Sequence, residues 1–338
     1  MHRLIFAFCF VLFFIPVHGQ NTCWSYDEWG SVDEEECTGR PLVTVFNFME
    51  EILDYCDCNY DSIVKTLLFI PSGTFTQGST DDPCRGSNET PFTHTLTRDI
   101  LVMETEVSRQ MWADLKVVQP SLPTDPTNTT YSAGMDNPVQ NNTWYEAVLF
   151  ANLLSIERGF TPCYYKDSTF TSVLNATNYT SGSFYCNFDA NGYRLPTEGE
   201  WEYVTRAGTT GPFSIDEPNY NGSNCGCATN QTSLDTVATF CGNDSGRSEP
   251  VGSKDPNPWG LKDVHGNVWE WCWDWYSSSY PSGNDTDYIG ATSGSYRVMR
   301  GGSWNNIALL CRSAGGRNSL TPGRRGYELG FRLLRTNT

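Results

Sequence analysis

The residues best placed to do chemistry lie between Gly260 and Tyr276, in the run GLKDVHGNVWEWCWDWY. Four tryptophans and a tyrosine stand here beside three carboxylates, Asp263, Glu270 and Asp274, and two glycines. Rings this dense must bury most of their area, roughly 150–250 Å² each. Carboxylates drawn into the same interior are costly unless something positive joins them. Two partners satisfy that demand. One is a hard cation such as calcium, which takes six to eight oxygens at about 2.3–2.6 Å and would use Asp263, Glu270 and carbonyls around Gly266. The other is a set of arginines paired with the carboxylates of a buried aromatic strand.

Other chemistry is limited by what is missing. Beyond the first nineteen residues the chain has only two histidines, His94 and His265, so three-histidine zinc sites, two-histidine iron sites and HExxH proteases lack their ligands. His265 is expected to be a hydrogen-bonded structural residue rather than a base. No G-x-S-x-G elbow, phosphate-cradling loop or dinucleotide glycine fingerprint occurs. Cysteine chemistry and plain binding remain.

The elements that must position these residues can be read in outline. With 38% hydrophobic and 14% aromatic residues, the chain can build a sizeable core. Residues 1–19 carry Arg3 and an apolar run from Leu4 to Val17, which predicts a cleaved secretory signal; no later segment is apolar enough to span a bilayer. The location expected is the secretory pathway, extracellular or in the endoplasmic reticulum lumen. Twelve cysteines remain after Cys9 leaves, an even number that in an oxidising compartment predicts up to six disulfides. The one-residue spacers of Cys56-x-Cys58 and Cys225-x-Cys227 do not suit zinc. Nine N-x-Ser/Thr triplets would permit glycosylation in a eukaryotic source, and a net charge of -17 argues against nucleic acid as a partner.

Residues 20–62 read as a cysteine-rich leader with one helical pattern at 43–55, and residues 63–338 as the main domain. In the latter, LLFIPSGTFTQGS predicts a hairpin, with a second strand pair at 93–105. Ser108 predicts one helix start. Thr143 with Glu146 and Thr197 with Glu200 form capping boxes for two more helices, which end at Gly159 and Gly208. The long polar stretch at 161–186 needs a staple, and Cys163 with Cys186 is the pairing expected. No βαβ alternation appears, so the fold class is α+β with much irregular backbone.

Six ordered motifs then stand out: FIPSGTFTQGS (69–79), ETEVSRQMW (104–112), YRLPTEGEWEYVTRAG (193–208), GLKDVHGNVWEW (260–271), RVMRGGSW (297–304) and GFRLLR (330–335). Together they resemble the formylglycine-generating enzyme, or sulfatase-modifying factor, family over roughly residues 64–336. The resemblance implies a single domain related to C-type lectins. Enzymes of the family oxidise a sulfatase cysteine to formylglycine with molecular oxygen and copper(I) held by two thiolates, soft ligands suited to that ion. Counted from Ser303, their first thiolate falls on Asn306 and their second on Cys311. Glu328 stands where the enzymes carry an asparagine.

The family's calcium site falls on Asp263, Gly266, Val268 and Glu270, and a second, weaker one begins at Asn219 and Tyr220. Trp269, Ser303, Trp304, Asn306 and Arg317 fall at or beside the pocket. The expectation is therefore a secreted, calcium-stabilised, disulfide-bonded member that binds a peptide or glycan, or a sulfatase, without oxidising it. The rival is a copper oxidase using Cys311, Ser303 and a displaced thiolate such as Cys272. A third class, a structural coat or adhesion protein, would show no pocket.

Overall fold

The structure is a computed structural model that describes residues 66–80, 84–215, 225–227 and 233–337, with Ile63, Asp82 and the backbone of two strands, Thr22–Tyr26 and Val32–Glu36. The chain divides into two units, Met1–Cys58 and Asn59–Thr338. In the first, the two strands pair antiparallel with Cys23 opposite Glu35. The signal segment, the helical pattern at 43–55 and the triplets at Asn221 and Asn230 lie outside the described residues.

The second unit opens with β1 (Leu67–Ile70), β2 (Gly73–Gln77), β3 (Phe92–Leu96) and β4 (Ile100–Met103). The strands are where the sequence predicts them, but the pairing differs. β1 does not fold back on β2; it pairs with β4, and β2 pairs with β3, so the four make one long bent ribbon. Pro71 has no N–H for the ladder, and the next donor, Ser72 N, is taken by Asp99 Oδ1 at 2.7 Å. Pairing stops there and the ribbon bends.

Helices α1 (Arg109–Val118), α2 (Trp144–Glu157) and α3 (Glu198–Arg206) start at the predicted residues, with β5 (Tyr193–Arg194) between the last two. Thr143 and Thr197 each accept from the N3 amide while Glu146 and Glu200 reach back to the cap amide. α2 is apolar on nearly every side and is buried accordingly, stacking Phe150 on Trp112. In α3, Gly199 is required by packing, because a methyl there would sit 2.2 Å from His94 Cε1.

The rest is short strands and turns: β6 (Trp269–Trp275), β7 (Arg297–Arg300), β8 (Asn318–Leu320), β9 (Leu329–Gly330) and β10 (Leu334–Thr336). One four-stranded sheet runs β1-β4-β10-β5 and the other β8-β7-β6-β9, with β6 and β9 parallel. This is the expected α+β domain.

The cysteine framework departs from expectation. Cys84 bonds Cys225 and Cys227 bonds Cys241, whereas Cys163, Cys186, Cys272 and Cys311 are free thiols. Cys186 stands opposite Tyr164, not Cys163, in the two-residue ladder joining Tyr164–Tyr165 to Tyr185–Cys186. Neighbouring residues of a strand point to opposite faces. Cys163 is unbridged and its Sγ donates to Gly192 O at 3.2 Å.

Candidate functional site

β6 carries different chemistry on its two faces. Trp269, Trp271 and Trp273 enter the main core, where Trp144 Nε1 donates to Cys272 O at 2.9 Å. Glu270 and Asp274 turn to α3, accepting from Trp201 Nε1 and from the Glu198 amide, each at 2.8 Å. The positive partners on this face are arginines. Arg332 closes on Glu270 through Nε and Nη2 at 2.8–3.0 Å and spends its remaining donors on Met103 O, Glu104 O and Lys262 O. All five N–H groups are thus used. Arg300 bonds Glu202 Oε2 at 2.8 Å, and Arg317 bonds both oxygens of Glu198, at 2.6 and 3.0 Å. Burial pushes the Glu198 carboxyl up, but Arg317 and Arg300 outweigh it and hold it below its ordinary value.

The loop after β7 holds the positions at which the resemblance puts the copper thiolates. Gly301 (φ +96°) and Gly302 (φ +72°) have backbone that L side chains rarely adopt, and a methyl on Gly302 would lie 2.6 Å from Cys311 Sγ. The buried Ser303 hydroxyl faces two amide oxygens, Asn305 Oδ1 at 2.8 Å and Asn306 Oδ1 at 2.7 Å. Asn306 O accepts from Cys241 N at 2.9 Å, which ties this loop to the Cys227–Cys241 bridge.

Cys311 packs with Phe213, Phe240 and Ala308, while Cys272 packs with Trp201 and Val298; the two thiols occupy separate clusters. Burial pushes the Cys311 thiol up to about 12 and the Cys272 thiol well above its ordinary value, where the charges of Asp274 and Glu198 add to the effect. Neither is poised as a thiolate.

Of the pocket residues read from sequence, Ser303, Trp304 and Asn306 sit together. Trp269 belongs to the core, and Arg317 is spent on Glu198, Asn88 O and Ser277 O. Two aromatics without a sequence signal join Trp304: its ring stacks on Tyr131 (centroids 5.7 Å apart), which stacks on Tyr327 (4.4 Å).

Both histidines are structural. Burial lowers His265 to about 4, and its ring lies between Cys311 O and Ser214 Oγ, each at 2.8 Å. His94 lies between Gln77 Oε1 (2.7 Å) and the Tyr288 amide (3.0 Å).

The calcium ligand set can be tested against the geometry. Asp263 (φ +61°) accepts from Gly252 N through Oδ2 at 2.6 Å and keeps Oδ1 buried without a hydrogen-bond partner. Glu106 clamps the adjacent backbone, accepting from Asn267 Nδ2 at 2.9 Å and Val268 N at 3.1 Å. Burial, with the charges of Asp263 and Glu270 beside it, raises Glu106 well above its ordinary value. Three buried carboxylates therefore share one guanidinium, and a divalent cation fits both that imbalance and the free Asp263 oxygen. Glu270 fits less well, since Arg332 and Trp201 already hold it. Among the described residues no three His, Cys, Asp or Glu side chains form a metal cage, so such a site rests on Asp263 with the Gly266 and Val268 carbonyls. Asn219 and Tyr220 lie outside the described residues.

Residues 59–337 match the sulfatase-modifying factor enzyme 1-like domain, and the chain belongs to that family. It is 39% identical over 147 residues to the formylglycine-generating enzyme of Streptomyces coelicolor, covering 42% of this chain and 46% of that one, less than half the relative's length. It is 29% identical over 215 residues to the chaperone protein LppX of Paenibacillus barcinonensis, covering 61% of this chain and 69% of that one. Among solved structures, Treponema denticola variable protein 1 superposes with a TM-score of 0.66 at 30% identity, covering 80% of this chain and 95% of the other. PvdO from Pseudomonas aeruginosa, at 23% identity and a TM-score of 0.61, shares the fold over 80% of this chain and 94% of its own.

Proposed function

We propose that this protein is a secreted, non-oxidising member of the family that uses the groove at Ser303, Trp304 and Asn306 to bind a peptide or glycan, a sulfatase segment being one candidate. The observation that carries this reading is the loop after β7. Where the resemblance places the first copper thiolate stands Asn306, hydrogen-bonded to Ser303, and the two free thiols nearest in sequence lie buried in separate clusters. Were the chain an oxidase, Cys311 would be a copper ligand and the protein would supply the soft thiolates that copper(I) needs. Purified protein incubated with copper and a Cys-x-Pro-x-Arg peptide tests the reading. No aldehyde above the free-copper control is expected; faster formation, lost in Cys311→Ser, would establish the oxidase.

Calcium belongs to the same reading, as a cation at Asp263 with the Gly266 and Val268 carbonyls and Glu270 shared with Arg332. It is supported by the unpartnered Asp263 oxygen. A ligand bound only by the folded state stabilises it by mass action, so a chelator should lower Tm by several degrees. An unchanged Tm would remove calcium and leave Arg332 as the local cation. Secretion is supported by the apolar run at residues 4–17 and by two disulfides, and no helix among the described residues is long and apolar enough to cross a membrane.

A further inference from the structure

A polar cleft of about 440 Å³ is lined by Pro123, Thr124, Pro126, Asn141, Glu146 and Arg325. The two chain segments that build it also build the aromatic stack: Pro126 leads to Tyr131, and Arg325 is two residues before Tyr327. The rings are held at interplanar angles of 19° and 22° with Tyr131 in the middle and Trp304 buried beneath. Tyr327, at the outer end, is 43% exposed.

We propose that cleft and stack together bind a neutral oligosaccharide, one pyranose lying on Tyr327 and its neighbours entering the cleft. This rests on the reading of the groove as a binding site and names its ligand class. A pyranose offers a flat face of C–H groups, weakly positive, which suits the negative face of an aromatic ring. The stack is already ordered by its own contacts, so little freedom is lost on binding.

The cleft matches the hydroxyl edge of such a ligand. Thr124 gives a hydroxyl and Asn141 an amide whose Nδ2 spends one N–H on Pro126 O at 2.9 Å, and the one cation in the lining, Arg325, is neutralised by Glu146 at 2.6 Å while also bonding Asn141 O. No free charge asks for a charged ligand, and the net charge of -17 disfavours an anionic glycan. An extended peptide fits less well. It would need backbone groups to pair with, and those beside Tyr327 are taken: Gly326 O accepts from Asn141 N at 2.9 Å and Glu328 O from Trp269 N at 2.8 Å.

The test uses the full chain made without N-glycans, since Asn141 lies in an N-x-Thr triplet. A panel of neutral hexasaccharides of glucose, N-acetylglucosamine, mannose and xylose is titrated by calorimetry, alongside a peptide library displayed on phage. At least one hexasaccharide should bind. Tyr327→Ala should weaken it by about tenfold, with Tm lowered only slightly by the loss of its stacking on Tyr131, while Tyr327→Phe should retain both binding and Tm. Hexasaccharide binding that Tyr327→Ala leaves intact overturns the proposal. Peptides captured in place of sugars, and lost in Trp304→Ala, overturn the sugar assignment and leave the groove reading standing. No ligand of either kind overturns both.

Discussion

The carboxylate face of β6 and the loop after β7 adjoin in the fold but follow opposite rules. On β6 most acidic groups drawn inward meet a designated donor: Glu270 has Arg332 and Trp201, and Glu198 and Glu202 across from it have Arg317 and Arg300. In the loop, Ser303 and Asn306 meet through neutral groups and the sulfurs of Cys311 and Cys272 do not meet. Those buried carboxylates have their charge partners, while Asn306 stands at the position to which the resemblance assigns a thiolate. The comparison separates what holds the domain up from what would make it an oxidase.

That contrast can be broken first at Arg332. Arg332→Ala leaves Glu270 buried with one remaining donor, and removing one member of a buried pair costs about 3–5 kcal/mol, which urea unfolding would read directly. Little loss would mean that Glu270 has another cation, and calcium would be the first to test. In the loop the largest effect should come from Gly302→Ala, because the new methyl meets both a strained φ and the Cys311 sulfur; a loss of about 1–3 kcal/mol is expected. Trp201→Phe removes the second donor to Glu270 together with part of a fully buried ring, and should cost about 1–3 kcal/mol.

The smallest effect concerns pH. Burial lowers the pKa of His94 below its ordinary 6.5, outweighing the opposing carboxylates Glu200 and Asp285. As pH falls through 6.5 the unfolded chain takes up this proton before the folded one does. Stability is therefore full above that pH and declines below it, by at most about 1.4 kcal/mol per pH unit for one proton. Denaturation midpoints of His94→Gln between pH 7 and 5 should show a shallower slope than wild type.

Local signals were readable in the sequence and long-range ones were not. The capping boxes at Thr143 and Thr197 are set by residues three apart, and both helices begin there. The six motifs likewise carried the family. By contrast, β1 and β2 flank a turn that looks like a hairpin, yet their partners lie beyond residues 78–91, which no local pattern foretells. The need for a positive group near Glu270 was legible; its supplier, Arg332, is 62 residues away. The thiol at Cys163 was misread because which strand face it takes depends on register. Tyr131 sits in a polar loop, and nothing in its neighbours marks it for stacking on Trp304.

The most direct test is a copper(I) titration of the reduced, purified protein against a competing chelator, in wild type and in Cys311→Ser. With an asparagine at 306 and its thiols buried apart, wild type should hold no more copper(I) than the variant. A tight one-to-one site in wild type that disappears in Cys311→Ser would show two sulfurs meeting at one ion and would contradict the division between scaffold and lost redox centre.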